Sequence, residues 1–377
     1  MTIRNIYNFV FFLAYGFLFT TSFLGFSNEE SIFYDFYQTS KNIILPTSWI
    51  ILIFQPNLFT KKWILIHILF IFIFSYFSYI SKDSSFLIAY IFILTSKFLN
   101  IKSLFNMLYH ISLVCIIAIA IYFLYKYYII DSAEYLYDET NERFRYTFEM
   151  FYPNVFPMRF FIFLSLFFIV KNKVNFIGVI FLFVFSLFIY LFSYSRTSFL
   201  LSSLLISTLY INQFSTVFRI KFIQMLMKLS MLIFPIISLF SMVNYNNFEM
   251  LEYINKVLSE RIRLSYEAYD LLGFALYPRD MRILIQEHNI IIDNLYVSLS
   301  LSNFSLLILF SVASYWLIKK FFNESFYKEA IVFFFMMLYS ITESHMINIG
   351  YNAMLLFMSF LFYKDKISNY KKRARYE

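Results

Sequence analysis

The run VNFIGVIFLFVFSLFIYLFS, residues 174–193, decides the fold. Lys171 and Lys173 precede it, Arg196 follows it, and nothing between Val174 and Ser193 carries a charge. An uncharged apolar stretch of about 20 residues matches the ~30 Å hydrocarbon core of a bilayer. A helix on the surface of a soluble domain would keep a polar face, and this one has none. Runs of the same kind recur along the whole chain. Windows of about nineteen residues place spans near 6–26, 43–60, 63–80, 84–99, 107–130, 155–170, 174–193, 198–214, 222–243, 292–318, 330–346 and 349–363. The expectation is an all-α, polytopic helical membrane protein of about twelve transmembrane helices, with residues 1–377 forming a single membrane domain.

Composition agrees. The 377 residues are 60% hydrophobic and 14% charged, with a mean hydropathy of +0.67. That leaves too little polar surface to cover a water-soluble body of this size. The single Cys115 has no intramolecular disulfide partner, and five glycines leave little room for close GxxxG-type helix packing. The apolar run that ends near Phe26 lacks a small-x-small cleavage site, so it reads as an uncleaved first span.

The net charge of +8 is a record of topology. With both termini cytoplasmic, Arg4, Lys61, Lys62, Lys171, Lys173, Lys319 and Lys320 fall in inner segments, while most acidic residues fall outside, as the positive-inside rule requires. This accounts for the charge without nucleic acid. The basic tail, 364–377, suits anionic membrane lipids. The two basic residue types also divide by side. Inner positions are mostly Lys, whereas Arg143, Arg145, Arg196, Arg261, Arg263, Arg279 and Arg282 are outside. A guanidinium recognises phosphate or carboxylate by a planar fork of donors, so the division suggests an anionic ligand on the outer face.

Two outer loops stand out by length, a shorter one at 131–154 and a large one at 244–291 between the ninth and tenth spans. Apolar residues at helical spacing, including Leu251, Ile254, Leu258 and Ile262, predict helices within the larger loop. Arg196, in Tyr194-Ser-Arg-Thr-Ser198, reads equally as a headgroup anchor or a phosphate ligand, and its flanking hydroxyls favour the second. Arg263, Arg279 and Arg282 read as a solvated surface paired with Glu260, Glu267 and Asp280. Asp293 stands at the lip of the tenth span, either as a helix N-cap or as a functional carboxylate. His288 is a second candidate base, since an imidazole ordinarily exchanges its proton near neutral pH, and Glu343 lies at the outer end of the eleventh span. These residues lack the spacing of metal ligands, so no metal and no cofactor is expected.

Taken in order, four segments resemble the bacterial polysaccharide repeat-unit polymerases (Wzy type), relatives of the O-antigen ligases. Arg145-Tyr-Thr-Phe-Glu-Met-Phe-Tyr-Pro-Asn154 resembles an Arg-x-Ser-Phe-Gly-Phe-x-x-Pro-Asn segment. Ser195-Arg196-Thr197 resembles a Ser-Arg-Thr or Ser-Arg-Gly element, Leu258-Ser-Glu-Arg-Ile262 a Leu-Ser-Gly-Arg-Ile element, and Asp293-Asn-Leu-Tyr296 an Asp-Asn-x-Tyr element. The likeness runs from about residue 143 to 350, and before that it is one of hydropathy alone. It departs at Glu149 and Glu260, which stand where the pattern has glycine, and at Asp293, where the ligases carry histidine.

The resemblance implies a GT-C-like bundle in the bacterial cytoplasmic membrane, acting on oligosaccharides linked to undecaprenyl pyrophosphate. Membrane lipids, a flippase and a chain-length regulator are the implied partners. On that reading Arg196 and Arg261 bind the pyrophosphate with Arg145 and Arg263 as helpers, and Asp293 or His288 activates the acceptor hydroxyl with a contribution from Glu343. A ligase moving finished glycan is the nearer rival. A repeat-unit flippase is the other, although it would place its charges along a cavity within the spans rather than in outer loops.

Overall fold

The structure, a computed structural model, describes residues 3–24, 61–138, 142–171, 173–258, 260–281 and 291–363, with Ile367 and Tyr370. It is mostly helical. In chain order the helices begin with α1 (Ile3–Leu24), α2 (Lys61–Ser81), α3 (Ser85–Thr95) and α4 (Ile101–Tyr125), which runs on through one π turn to Ile130. A two-stranded ribbon follows, β1 (Tyr135–Asp138) and β2 (Arg143–Tyr146). Then come α5 (Val155–Val170), α6 (Phe176–Ser193), α7 (Arg196–Asn212), α8 (Lys221–Val243), α9 (Glu249–Val257) and α10 (Arg261–Leu272). The last helices are α11 (Leu295–Ser302), α12 (Phe304–Asn323), α13 (Tyr327–Tyr339) and α14 (Ser359–Phe362).

Among the described residues five helices are long and apolar enough to cross a membrane: Asn5–Leu24, Ile101–Ile130, Phe176–Ser193, Lys221–Val243 and Phe304–Asn323. Leu65–Ser81, Ser85–Thr95, Val155–Val170 and Ala353–Phe362 are apolar and shorter. The expected span at 43–60 and the tail from 371 onward lie outside the described residues. What marks α6 as lipid-facing is the chemistry of its open side. Ile177, Phe181, Val184 and Leu191 are 75%, 67%, 59% and 56% exposed, while Val179, Leu182, Ser186 and Ile189 are buried on the other side. A helix whose exposed stripe is Ile, Phe, Val and Leu meets hydrocarbon, because such a patch in water would drive association.

Two expected features differ in detail. The shorter loop is not irregular throughout: β1 and β2 pair antiparallel, with Leu136 opposite Arg145 and Asp138 opposite Arg143. The tenth span, expected as one helix over 292–318, is broken at Asn303, whose side-chain oxygen caps α12 by accepting from the Ser305 amide at 3.1 Å. A break at that depth exposes carbonyls, and the chain supplies partners. The amides of Ala275 and Arg279 donate to Ser300 and Ser302 at 3.0 and 3.3 Å, and the Phe304 amide donates back to Ala275 at 2.8 Å. Irregular backbone at membrane depth persists only where protein satisfies it in this way.

The chain forms two compact units. In the first, α5 is the buried centre, packed by α4, α6 and α7, with α1 against α4. The second, built from residues 55–97 and 217–369, packs α8 against α12, α11 and α10, with α13 against α12. Its local core beneath the site is Met242, Ala268, Val297 and Leu301.

Candidate functional site

In the second unit the site is organised by the start of α10. Glu260 takes a left-handed backbone, φ +66°, which turns the chain sharply out of α9. The first amides of a helix have no intrahelical acceptor, and here the preceding helix supplies one. The side-chain oxygen of Asn255, a buried residue, accepts from the amides of Ile262 and Arg263 at 2.9 and 3.1 Å. The Asn255 amide donates to Glu260 at 2.9 Å and to the Tyr245 hydroxyl at 3.2 Å. This fixes the rotation of α10, so Arg261 enters the protein and Arg263 stays outside. Arg263 pairs with Glu260 at 2.9 Å and Glu267 at 2.5 Å, as expected of a solvated helix face. Glu260 therefore neutralises Arg263 and not Arg261.

At the start of α11 the neighbours Asp293 and Asn294 divide two roles. Asn294 is the N-cap: its side-chain oxygen accepts from the amides of Tyr296 and Val297 at 2.9 and 3.2 Å. Its amide donates to the Ser238 hydroxyl of α8 at 3.0 Å. With capping done by Asn294, the Asp293 carboxylate is released from that duty. It lies 3.4 Å from Arg261 Nε and keeps about a third of its side chain exposed, at 35%. The end of α13 completes the cluster. After Tyr339 the chain leaves the helix, Leu295 donates to the Ser340 carbonyl at 2.9 Å, and Glu343 points inward with its side chain 12% exposed.

Arg261 joins these pieces. Its Nη2 lies 3.2 Å from Glu343 Oε1, its Nη1 donates to the Thr342 carbonyl, and its Nε faces Asp293. Burial disfavours the charge, but Glu343 and Asp293 outweigh it and raise the guanidinium pKa above its ordinary value. Arg261 was expected to grip an anionic ligand; in the structure its guanidinium is engaged by two carboxylates of the protein. One positive and two negative charges leave the cluster net negative, with Asp293 as its open member. A hydroxyl that approaches Asp293 meets a fixed acceptor for its proton.

Arg279 also differs from expectation. It pairs with helix-end carbonyls rather than acids, donating to Leu272 at 2.7 Å, Gly273 at 2.5 Å and Leu301. A cation at helix C-termini is favourable, and partial burial lowers its pKa. His288 and Arg282 lie outside the described residues.

In the first unit Arg145, on β2, donates to the Ser193 carbonyl at the end of α6 at 3.2 Å and to Asn154 Oδ1 at 3.0 Å. It thus ties both ends of the 145–154 segment to the α6–α7 turn. Within that segment Glu149 has φ +62° and pairs with Lys126 at 2.6 Å. Arg196 is the first residue of α7 and is exposed. Among the described residues its side chain has no hydrogen bond or ion pair, which leaves its donors available at a helix N-terminus, where anions are favoured.

The structure thus brings Arg261, Asp293 and Glu343 together, sets Arg263 outside that cluster, and places Arg145 and Arg196 in the other unit. Sequence reasoning missed Asn255 and Asn294. The signal for Asn294 was present, since Asp-Asn ahead of an apolar run offers two capping residues for one cap. Asn255 gave none, because its acceptor works across the α9–α10 turn. Removing a capping acceptor costs about 1–2 kcal/mol. Asn255→Ala should therefore lower thermal stability by that amount and loosen Arg261, and Asn255→Asp should lose at least as much in the same melting experiment, because its carboxylate keeps the acceptor but faces the Glu260 carboxylate to which the amide now donates. No protein-family model, curated protein or solved structure matches the chain.

Proposed function

We propose that this protein is a metal-independent membrane glycosyltransferase, a polysaccharide polymerase of about twelve spans in the bacterial cytoplasmic membrane. Both termini are cytoplasmic, and the 131–154 and 244–291 loops lie on the outer face. Its donor is a growing glycan on undecaprenyl pyrophosphate, and its acceptor is the terminal sugar of a new lipid-linked repeat.

The observation that carries the reading is in the backbone. At both positions where the repeat-unit polymerase pattern has glycine and this chain has glutamate, φ is positive, +62° at Glu149 and +66° at Glu260. L-residues rarely adopt that region, and glycine is the residue it favours. Among the described residues eight that are not glycine have positive φ, Phe148 included, and the support lies in both of these glutamates falling within that small set. The Arg145–Asn154 hydrogen bond, which joins the ends of the first motif, adds to the support.

The chemistry follows from the groups present. The acceptor hydroxyl oxygen attacks the anomeric carbon of the donor, and the bond from that carbon to the diphosphate oxygen breaks. Asp293 takes the hydroxyl proton while Arg261, itself paired with Glu343, holds it in place, and the lipid diphosphate leaves with the bonding electrons. Arg196, exposed at the start of α7 in the first unit, is the residue that the resemblance assigns to the diphosphate, and a guanidinium supplies the kind of electrostatic stabilisation that dominates such steps. The test is reconstitution of the full-length protein in liposomes with lipid-linked repeat units. Long glycans should form, and Asp293→Asn should slow their formation by about 100-fold or more, within the range for losing a general base. Release of unattached long chains by a strain lacking the protein would mark a ligase instead, and transport without new glycosidic bonds would mark a flippase.

A further inference from the structure

Within the 244–291 loop the eight residues Leu271-Leu-Gly-Phe-Ala-Leu-Tyr-Pro278 carry no charge, although Asp270 precedes them and Arg279 follows them. We infer that they form a lipid-binding surface, a fixed turn that seats its apolar side chains in the interfacial layer of the bilayer beside α12. This surface is separate from the Arg261 cluster and does not depend on the glycosyltransferase reading.

The turn is held in shape by its backbone. Gly273, at φ +60°, leads the chain out of α10 with its amide on the Tyr269 carbonyl at 2.7 Å. Beyond it, the Ala275 and Arg279 amides and the Ala275 carbonyl are bonded to residues 300–304 at the α11–α12 break. The Arg279 guanidinium takes the Leu272 and Gly273 carbonyls, and Pro278 has no amide to satisfy. Protein thus answers much of the main chain, the condition for an irregular segment to approach hydrocarbon. The side chains are directed the other way. Leu276 and Tyr277 are 75% and 83% exposed, and Leu271 and Phe274 are exposed as well. A turn fixed at so many points presents these groups outward by construction.

Position names the occupant. The twenty residues of α12, Phe304–Asn323, rise about 30 Å, the thickness of the hydrocarbon core, so Phe304 stands at one boundary of the bilayer and Lys319 and Lys320 stand at the other. The turn is bonded to the Phe304 end. Phe274 meets the Phe304 ring edge-on, with centroids 5.7 Å apart, and the exposed side chains of Ile308, Val312 and Trp316 continue from Phe304 along α12 at intervals of four. The apolar surface of the turn is therefore continuous with one that crosses the membrane, and lipid covers both. Tyr277, an apolar ring with a polar hydroxyl, is of the type enriched in the boundary layer. The turn also seats the last residues of α10, the helix whose first residue is Arg261.

Depth-dependent quenching tests this. With Trp49→Phe, Trp63→Phe and Trp316→Phe, an added Tyr277→Trp supplies the single indole of the chain. The full-length protein would be placed in phosphatidylcholine nanodiscs whose lipid is brominated near either the carbonyl end or the methyl end of its acyl chains. The indole should lose more emission to the first lipid than to the second, and little to acrylamide in the aqueous phase. Leu276→Trp in the same background repeats the measurement at the neighbouring exposed position and guards against a fold lost to one substitution. Strong quenching by acrylamide with none by bromine would overturn the surface in favour of a solvated turn. Stronger quenching by the second lipid would overturn the interfacial seat, and protection from bromine and acrylamide alike would overturn lipid as the occupant in favour of protein.

Discussion

Arg261→Ala is expected to end polymer formation and to lower stability by about 3–5 kcal/mol, the cost of breaking a buried ion pair by removing one partner. The guanidinium is 8% exposed and answers a carbonyl at Thr342 and the carboxylates of Glu343 and Asp293. Take it away, and Glu343, itself nearly buried, faces Asp293 with no positive charge between them. The turn after α13 also loses the donor that meets its Thr342 carbonyl. Melting of the detergent-solubilised protein measures the stability, and a ladder of glycan lengths measures the activity. Two companions separate the causes. Arg261→Ala with Glu343→Gln removes the stranded charge, so most of the stability should return while polymer does not, because Asp293 remains unheld. Arg261→Lys keeps a charge but cannot present a planar fork to several acceptors at once, so it should melt near the native protein and still make little polymer. An Arg261→Ala protein that melts with the native one would show that these carboxylates do not need it.

The membrane class was legible because lipid imposes one simple demand. A helix in hydrocarbon must be apolar on its outer side, and residues 174–193 display this whatever the fold around them. The break at Asn303 was hidden for the opposite reason: Leu295 to Ile318 carries no charge and is mostly apolar, and what interrupts the helix is one amide side chain and a distant segment, 275–279, that satisfies the freed carbonyls. Candidate residues were legible by type and not by partner. Arg, Asp and Glu near a membrane boundary are costly and so draw attention, which singled out Arg261, Asp293 and Glu343 along with Arg145, Arg196 and Arg263, without a sign that the first three meet. Their charges alone made Arg261 look open to a ligand, since its acidic partners lie more than thirty residues further along the chain. Glu260 reads from the sequence as a partner of Arg263, Arg279 or Arg282, and the pair it makes is with Arg263. The left-handed turn at Glu260 and the capping by Asn255 direct the helix so that the adjacent carboxylate serves Arg263 instead.

Arg196→Ala should show the converse behaviour, a loss of activity of about 100- to 1000-fold with no loss of stability. The contrast with Arg261 rests on surroundings rather than on residue type. Arg196 is exposed at the first position of α7 and, among the described residues, has no hydrogen bond or ion pair to lose. Surface substitutions of that kind change stability by within about 0.5 kcal/mol. The backbone around it is fixed by other groups. Tyr194 closes α6 in a left-handed conformation with its amide on Tyr190 at 2.7 Å, the hydroxyls of Ser195 and Ser198 bond each other at 2.8 Å, and Arg145 holds the Ser193 carbonyl. A guanidinium without a protein partner on so well supported a turn is available to an anionic ligand, and removing one such donor from a developing anion costs about 100- to 1000-fold in rate. Arg196→Lys should fall between, since an ammonium supplies charge without the bidentate fork. The competing role, an anchor to lipid headgroups, predicts the reverse ordering, with full-length glycans from Arg196→Ala and an altered seating of α7 in the bilayer. Polymer length from reconstituted protein, measured at matched amounts of folded enzyme, decides between them, and native chain lengths from Arg196→Ala would remove Arg196 from the reaction.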